Sequence, residues 1–353
     1  GQQNMPKTTM GQSTLDFYSY PSVGTDDWRY GYETALVRTL EMHMLSRAHL
    51  QDMANAENFE RAADLLTGTE YALPQGSSSL ADVEALLQER RSAVRGLFAE
   101  LIIDDEIVDL FRSRDDFANL RLALRRTVTE RELGSDYSSD GNVDPELFEA
   151  MLSDEDKAGA GDKFPAYVND AVEEAVLGYY QDKDIRRIDY AIDASQARYN
   201  LARAAELDSP FLTGLFRIQI DLTNVRTLLR LKFTESEQRN VLIEGGFIET
   251  ERFRAGIDAG YETLGSLFFA TPYSKVVETS ASYVAANNSF LKVEQQCDEH
   301  LAGYLHETAQ ITAGPQPIIA YLLNKENEIR RVRLLLTARK SSLGAKLILD
   351  RIS

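Results

Sequence analysis

The feature that most constrains the fold of this chain is an internal repetition. When the sequence is shifted by 105 residues, 81–148 aligns with 186–253 without a gap, and 15 of the 68 paired positions are identical. A third copy lies at an offset of 107 residues, where Pro317 and 332–336 resemble their counterparts in the second copy. Copies that each carry amphipathic helices can bury them locally. The repetition therefore predicts three related lobes.

Within each copy the apolar residues recur at helical spacing. Tyr32, Leu36, Leu40 and Met44 lie four residues apart, and the alternation typical of strands is nowhere sustained. Leu, Ala, Glu and Arg dominate the composition, which favours helices over sheets. We therefore predict an all-α fold. The other segments with the helical pattern are 80–100, 168–180, 190–206 and 318–338.

Charge and cysteine content exclude several classes of protein. With 38 basic and 56 acidic residues the net charge is -18, which disfavours binding to nucleic acid or anionic lipid. Cys297 is the only cysteine, so no internal disulfide can form. No apolar run approaches the roughly 20 residues that span a bilayer. We expect a soluble intracellular protein with no nucleic-acid partner and no direct membrane span.

Changes in composition suggest where the lobes begin and end. Residues 1–27 are rich in Gly, Ser, Thr and Gln without apolar periodicity, and we expect a poorly ordered N-terminal arm. An acidic insert near 136–163 is expected to begin as a solvated connector. The three predicted helical lobes occupy 28–148, 149–253 and 254–353.

An acid followed five residues later by an arginine recurs in all three copies. Five residues turn about 500° around a helix, so the two side chains are not expected to pair with each other. One interpretation is that they join neighbouring helices of a lobe as charge pairs. The other is that they line a shared surface at the centre of the lobes, where a partner binds. The repeated residues are Asp116, Asn119 and Arg121, then Asp221, Asn224 and Arg226, and finally Glu328 and Arg333.

The final segment, 325–351, is basic within an acidic chain. It holds eight Lys or Arg residues and three acids, a net charge of +5. Charge segregated in this way faces either the chain's own acids or an acidic partner, and an ordinary solvated helix face is the alternative. We predict a partner-binding basic strip that consists of Arg330, Arg331, Arg339 and Lys340.

No motif for catalysis or cofactor binding is found. The AGAGDK stretch lacks the terminal Lys-Ser/Thr of a phosphate-binding loop, and no GxGxxG follows a strand. Cys297 and His300 form a CxxH pair, but a structural zinc site needs four ligands. The sequence therefore predicts no catalytic residue, no metal site and no cofactor.

Several segments resemble the C subunit of the V/A-type rotary ATPases, a relative of the d subunit of eukaryotic V-ATPases. RYGYETALVRTLEMHMLS at 29–46 and NFERAADLLTGTEY at 58–71 are similar to the start of that family, and 317–343 is similar to its end. DLTNVRTLLRLK at 221–232 is also typical of the family. The resemblance covers about 30–353, and the arm and the acidic insert depart from it.

The resemblance implies a funnel of three helical lobes with a central opening, on the cytoplasmic face of a membrane. Such a protein is a non-catalytic part of the central stalk, a socket that couples the proteolipid rotor ring to the central-shaft subunits of D and F type. It carries torque during ion transport. The alternatives are a helical-repeat scaffold or adaptor unrelated to rotary ATPases and, from a third class, an all-helical enzyme.

Overall fold

A computed structural model describes residues 20–129, 137–150 and 163–353 of the chain. Within these ranges the regular structure is helical and no strand occurs, which confirms the predicted all-α fold. The α-helices are α1 (Gly31–Glu41), α2 (Arg47–Ala54), α3 (Phe59–Asp64), α4 (Leu80–Leu101), α5 (Asp105–Thr129), α6 (Pro145–Ala150), α7 (Ala166–Asp182), α8 (Arg186–Glu206), α9 (Pro210–Phe233), α10 (Thr250–Asp258), α11 (Leu264–Leu267), α12 (Ser274–Asn287), α13 (Leu291–His306), α14 (Pro315–Lys340) and α15 (Ala345–Ile352).

The repeated copies fold into matching helix pairs. When α4 and α5 are shifted by 105 residues, their bounds agree with those of α8 and α9 to within one residue. Local sequence determines where these helices start. Ser79 and Asp82 form a capping box before α4, and the Ser209 hydroxyl caps α9, whose first residue is Pro210. The third pair is α13 and α14.

Six of these helices form a closed series of contacts. Along the chain, α4 packs on α5, α8 on α9 and α13 on α14. Across the copies, α5 packs on α8 and α9 packs on α13. The series closes where α14, close to the end of the chain, packs on α4. Each helix that carries the repeated acid therefore contacts a helix of another copy.

The hydrophobic core is divided into three large clusters, and one of them joins the two ends of the chain. In that cluster Tyr71 and Leu87 are buried together with Val332 and Leu335. A second cluster lies among α5, α6, α7 and α8, and the third extends from α4 and α5 to α9, α12, α13 and α14. Burial of apolar surface thus links the N-terminal helices to α14 and α15 without a covalent connection.

The segment just before the first helix also packs on the C-terminal half of the chain. Val23 is 1% exposed, and the Gln316 side chain donates hydrogen bonds to the carbonyl oxygens of Val23 and Thr25. The amide of Asp27 donates to the carbonyl oxygen of Ala313. Of the arm predicted at 1–27, residues 1–19 lie outside the described ranges.

The acidic insert near 136–163 is described in part. Residues 137–150 pack on α5, and α6 starts within them at Pro145. Residues 151–162 lie outside the described ranges. The lobe bounds 28–148, 149–253 and 254–353 stay predictions, and the cluster that joins the chain ends means that neither terminal segment buries its apolar side chains alone.

Candidate functional site

The repeated acid of the second copy is the centre of a buried group of hydrogen bonds, which we call an acid clamp. Asp221 lies in α9 and is 0% exposed. One carboxylate oxygen accepts from the Phe247 amide at 2.9 Å and the Tyr273 hydroxyl at 2.8 Å, and the other accepts from the Ile248 amide at 3.2 Å. The clamp ties the middle of α9 to the loop that follows it and to the start of α12.

The first copy has the same arrangement around Asp116 in α5. Its carboxylate accepts from the amides of Asn142 at 3.2 Å and Val143 at 2.9 Å, and from the Tyr167 hydroxyl at 2.6 Å. Asn142 and Val143 lie 105 positions before their counterparts in the second clamp. The repeated sequence therefore produces the same local structure twice.

The third acid clamp is assembled from the two ends of the chain. Glu328 in α14 accepts from the Leu45 amide and from the Tyr71 hydroxyl, each at 2.7 Å. It also accepts from the Lys325 ammonium at 2.7 Å, which in turn donates to Glu70. Because Leu45 and Tyr71 precede α4, this clamp holds the N-terminal segment against the last long helix.

Burial determines the ionisation of the first two clamps. Desolvation raises the pKa of Asp221 to about 6, although the hydrogen bonds from Tyr273 and from two backbone amides lower it. Desolvation likewise raises the pKa of Asp116, against the hydrogen bond from Tyr167. Neither carboxylate forms an ion pair among the described residues. Their hydrogen-bond donors are neutral, so these two groups are costly to ionise in the folded chain.

The asparagines of the signature hold the same loops. The Asn119 side-chain amide exchanges two hydrogen bonds of 2.8 Å with the backbone of Ser138. Asn224 does the same with Ile243, at 2.8 and 2.9 Å. Each asparagine side chain therefore satisfies one backbone N–H group and one backbone carbonyl group of its loop, as a neighbouring strand does in a sheet.

A glycine leaves room for the carboxylate in each of these two clamps. A Cβ atom at Gly246 would lie 2.1 Å from the nearer carboxylate oxygen of Asp221. At Gly141 the corresponding distance to Asp116 is 2.2 Å. Both distances are far below van der Waals contact, which explains why glycine occupies this position in both copies.

The arginines of the signature contact a helix of another copy and do not pair with the acids of their own copy. The Arg226 guanidinium lies 2.9 Å from the carboxylate of Glu294, and that of Arg333 lies 2.9 Å from Glu84. These arginine bridges therefore join α5 to α8, α9 to α13 and α14 to α4. The partners are Asp189 and Asp193 for Arg121, Glu294 for Arg226, and Glu84 for Arg333.

A cavity of about 370 Å³ lies where α5, α8, α9, α13 and α14 meet, and we call it the central cavity. Arg226 of the second arginine bridge lines it, together with Arg114 and Glu326 of an ion pair between α5 and α14. Cys297 also lines it, and burial raises the pKa of the Cys297 thiol to about 12. The acids of the clamps are absent from its walls, because Asp116 and Asp221 face the loops of their own copies and Glu328 faces the N-terminal segment.

The four residues predicted to form one basic strip lie in different environments. Arg330 is exposed and lines the central cavity. Arg331 is half-buried, and desolvation lowers its pKa. Arg339 and Lys340 each donate to a backbone carbonyl oxygen of the N-terminal segment, at 2.8 Å. The geometry therefore separates Arg330 from Arg339 and Lys340, which hold the two chain ends together.

Two groups of residues escaped the sequence reasoning. Glu84, Asp189 and Glu294, which form ion pairs with the signature arginines, recur at intervals of 105 residues, so a search for repeated acids alone would have found them. Tyr167 was missed because it follows its acid by 51 residues, whereas Tyr273 follows Asp221 by 52. Because the two spacings differ by one residue, an alignment at the fixed offset of 105 residues does not pair the two tyrosines.

Two further properties of the described ranges bear on function. No group of three or more His, Cys, Asp or Glu side chains there has an arrangement that could hold a metal ion. His300, the second member of the CxxH pair, packs against the rings of Tyr20 and Tyr273 in a tilted arrangement, and desolvation lowers its pKa to about 4. In the same ranges, no helix combines the length and apolar character that crossing a membrane requires.

Comparisons with known proteins agree on one family. A family model described as the ATP synthase (C/AC39) subunit matches residues 34–351. The C subunit of the V-type sodium ATPase of Enterococcus hirae is 22% identical over 322 residues, which cover 90% of this chain and 96% of that protein. The C subunit of the V-type ATP synthase of Thermus thermophilus is 25% identical, with 89% and 95% covered. The C subunit of the A-type ATP synthase of Thermococcus kodakarensis is 25% identical, with 86% and 85% covered.

Proposed function

The chain belongs to the ATP synthase (C/AC39) subunit family of non-catalytic rotary ATPase subunits, and from this premise we propose that it is a socket in the central stalk. In this role it joins the membrane proteolipid rotor ring to the central-shaft subunits of D and F type. It transmits torque between them during ion transport. It is bound at the cytoplasmic face of the membrane through its partners.

The observation that carries the proposal is the convergence of the repeated copies on the central cavity. The cavity is lined by residues of α5, α9 and α14, the three helices that carry the repeated acid, together with residues of α8 and α13. A protein that binds a shaft at its centre needs an opening of this kind between similar units.

Torque transmission also requires a body that resists bending. The acid clamps fix each long helix to a loop, and the arginine bridges join helices of different copies. In the part of the chain that the structure describes, the helix contacts form a closed series, so each pair of long helices is held on both sides against bending. These contacts support a mechanical role.

The position in the complex is tested by recovery of partners from membranes. The tagged chain, incubated with detergent-solubilised membranes that lack it, is expected to retain both the proteolipid ring and the shaft subunits. A helical scaffold unrelated to rotary ATPases would retain neither. A density map of the recovered assembly would then give the side on which each partner lies.

The basic strip is tested separately by reversing charges. We propose that the strip helps to seat the shaft, and the triple variant R330E/R339E/K340E is expected to weaken shaft binding by about 1–3 kcal/mol at low salt. High salt should reduce the difference, because it screens exposed charges. R330E alone and R339E/K340E together separate the cavity residue from the two residues near the chain ends. R61E, at an exposed position of α3, changes the net charge as R330E does and is the control for that variant.

A further inference from the structure

The first copy lacks a helix that the other two copies have. Between Tyr167 of the first clamp and α8 lies α7, and between Tyr273 of the second clamp and α13 lies α12. Between Tyr71 of the third clamp and α4 there are only residues 72–79, which the structure describes in full and which form no helix. The three tyrosines hold their acids in the same way, so the shorter connection starts from an equivalent point.

The helix α7 covers one face of the long helix that follows it. Glu174 of α7 pairs with Arg198 of α8, and a Cβ atom at Gly178 of α7 would lie 3.6 Å from the Cβ atom of Arg187. In the third copy α12 packs on α13 in the same order along the chain. Two of the three copies therefore use a helix of their own to cover this face.

The matching face of α4 has no helix on it. The main contacts of α4 are with α5 and α14. At the offset of 105 residues Asp82 corresponds to Arg187 and Ala93 to Arg198. Both Asp82 and Ala93 are exposed, as is Glu89 between them. The positions that contact α7 in the second copy are therefore open to solvent in the first.

The connection 72–79 does not replace the missing helix. Leu73 and Ser77 are half-buried, and the other residues of this connection are exposed. The Ser78 carbonyl oxygen accepts from Lys340, which holds the connection close to α14. On the far half of α4, nothing lies within 4 Å of a Cβ atom at Gly96. A second helix has room to approach here.

The exposed charges of α4 are all acidic. Its arginines are half-buried, and Arg91 and Arg95 pair with Asp115 of α5. A helix that carries lysine or arginine beside its apolar face is complementary to this surface, whereas an acidic helix is repelled. The exposed charged residues of α4 are Asp82, Glu84, Glu89 and Glu100.

We propose that the face of α4 formed by Asp82, Leu86, Glu89 and Ala93 binds an amphipathic helix of another subunit of the complex, which takes the place of the missing helix. The bound helix has basic residues beside its apolar face and a length close to that of α7 and α12, which have 17 and 14 residues. No residue of α4 lines the central cavity, so this contact is separate from the site proposed for the shaft. The inference rests on the proposed function, because the partner belongs to the same complex.

The test measures how fast a maleimide reagent labels the A93C variant, alone and after assembly with detergent-solubilised membranes that lack the chain. Assembly is expected to slow the labelling roughly 10-fold or more, because a packed helix must open locally before the thiol can react. The native Cys297 is 0% exposed and contributes little labelling. L177C is the matched control, since Leu177 is 58% exposed on α7, and its labelling rate should not change on assembly.

The basic character of the partner is tested by reversing a charge on the face. In the assembled complex, E89K/A93C should be labelled roughly 2- to 5-fold faster than A93C at low salt, because a cation now faces the basic helix. High salt should reduce the difference. E60K/A93C makes the same change of charge at an exposed position of α3 and should be labelled as A93C is. Equal rates for E89K/A93C and A93C would overturn the basic character of the partner.

The outcomes separate this inference from the proposed function. If the complex retains the ring and the shaft but A93C is labelled as fast as in the free chain, or if L177C is protected to the same degree, the inference is wrong and the socket stands. If the free A93C chain is labelled slowly and removal of residues 1–19 or dilution accelerates the labelling, the face is covered by the chain itself or by a second copy, which would also overturn the inference. If the chain recovers neither ring nor shaft, the proposed function is wrong, and the inference with it.

Discussion

The second and third acid clamps solve the same problem in different ways. Asp221 is held by two backbone amides and Tyr273, all from one continuous stretch of chain. Glu328 is held by one amide and a tyrosine from the opposite end of the chain, and it carries its own cation, Lys325. In the third clamp no loop of the same copy supplies the donors. A longer acid and a buried lysine take the place of that loop. The third clamp, which joins the two ends of the chain, therefore depends more on charge than the first and second clamps do.

The largest effect is expected from removing that lysine. Lys325 and Glu328 are each 4% exposed, and K325M leaves Glu328 buried without its cation. The free energy of unfolding, measured in urea, should fall by about 3–5 kcal/mol. The double variant K325M/E328Q removes the charge as well and should recover much of the loss. A decrease below about 1 kcal/mol in K325M would mean that the third clamp does not depend on its cation.

A smaller effect is expected from crowding the second clamp. G246A introduces a Cβ atom 2.1 Å from the Asp221 carboxylate and should destabilise the chain by about 1–3 kcal/mol. G96A is the matched control, because nothing lies within 4 Å of a Cβ atom at that helical position. It should be neutral or stabilising, as alanine is favoured over glycine within a helix. Equal unfolding curves for both variants would refute the close packing of the clamp.

The two clamps should also differ in how stability depends on pH. Burial raises the pKa of Asp221 to about 6 in the folded chain, so between about pH 4 and pH 6 the folded state holds this proton more tightly than the unfolded state. The stability that Asp221 contributes is present at low pH and lost as the pH rises through about 6. D221N should lack this loss, so that its stability relative to the original chain improves by roughly 1–3 kcal/mol from pH 4 to pH 7. Urea unfolding of both chains at several pH values measures this difference. If Asp221 did not titrate, the difference in stability between D221N and the original chain would be the same at every pH.

The smallest effect concerns the arginine bridges. The side chains of Arg333 and Glu84 are 36% and 53% exposed, whereas those of Arg226 and Glu294 are 28% and 34% exposed. R333A should therefore cost only about 0.2–1 kcal/mol, and R226A at least as much. Thermal unfolding of the two variants at low and high salt would measure both. A larger loss in R333A would reverse the order that solvent exposure predicts.

The helices are predictable from the sequence, because periodicity and repetition are local properties. The apolar spacing of 190–206 indicates a helix, and this segment is the body of α8. The importance of Asp221 is also visible, since an acid that recurs within a repeated motif is conspicuous. Its neutral surroundings are not visible, because Tyr273 follows it by 52 residues, and the end of α9, α10 and α11 lie between the two.

Pairing across the chain ends is the part that sequence reasoning did not reach. Leu45 and Glu328 are 283 residues apart, and no local pattern connects them. The sequence does carry one trace of it, because 64–71 and 266–273 both end in Thr-x-Tyr, which places Tyr71 at the position of Tyr273. The basic strip was likewise predicted from neighbouring positions in the sequence. On the folded helix, however, Arg330 lines the central cavity, whereas Lys340 donates to the backbone of the N-terminal segment.

The third clamp is equivalent to the second although its donors come from the other end of the chain. Amide hydrogen exchange of Leu45 and Phe247 tests it most directly, in the original chain and in E328Q and D221N. Both amides should be protected in the original chain. E328Q should accelerate exchange at Leu45 and leave Phe247 protected, and D221N should do the reverse. Rapid exchange of Leu45 in the original chain, or a Leu45 rate unchanged by E328Q, would contradict the equivalence of the two clamps.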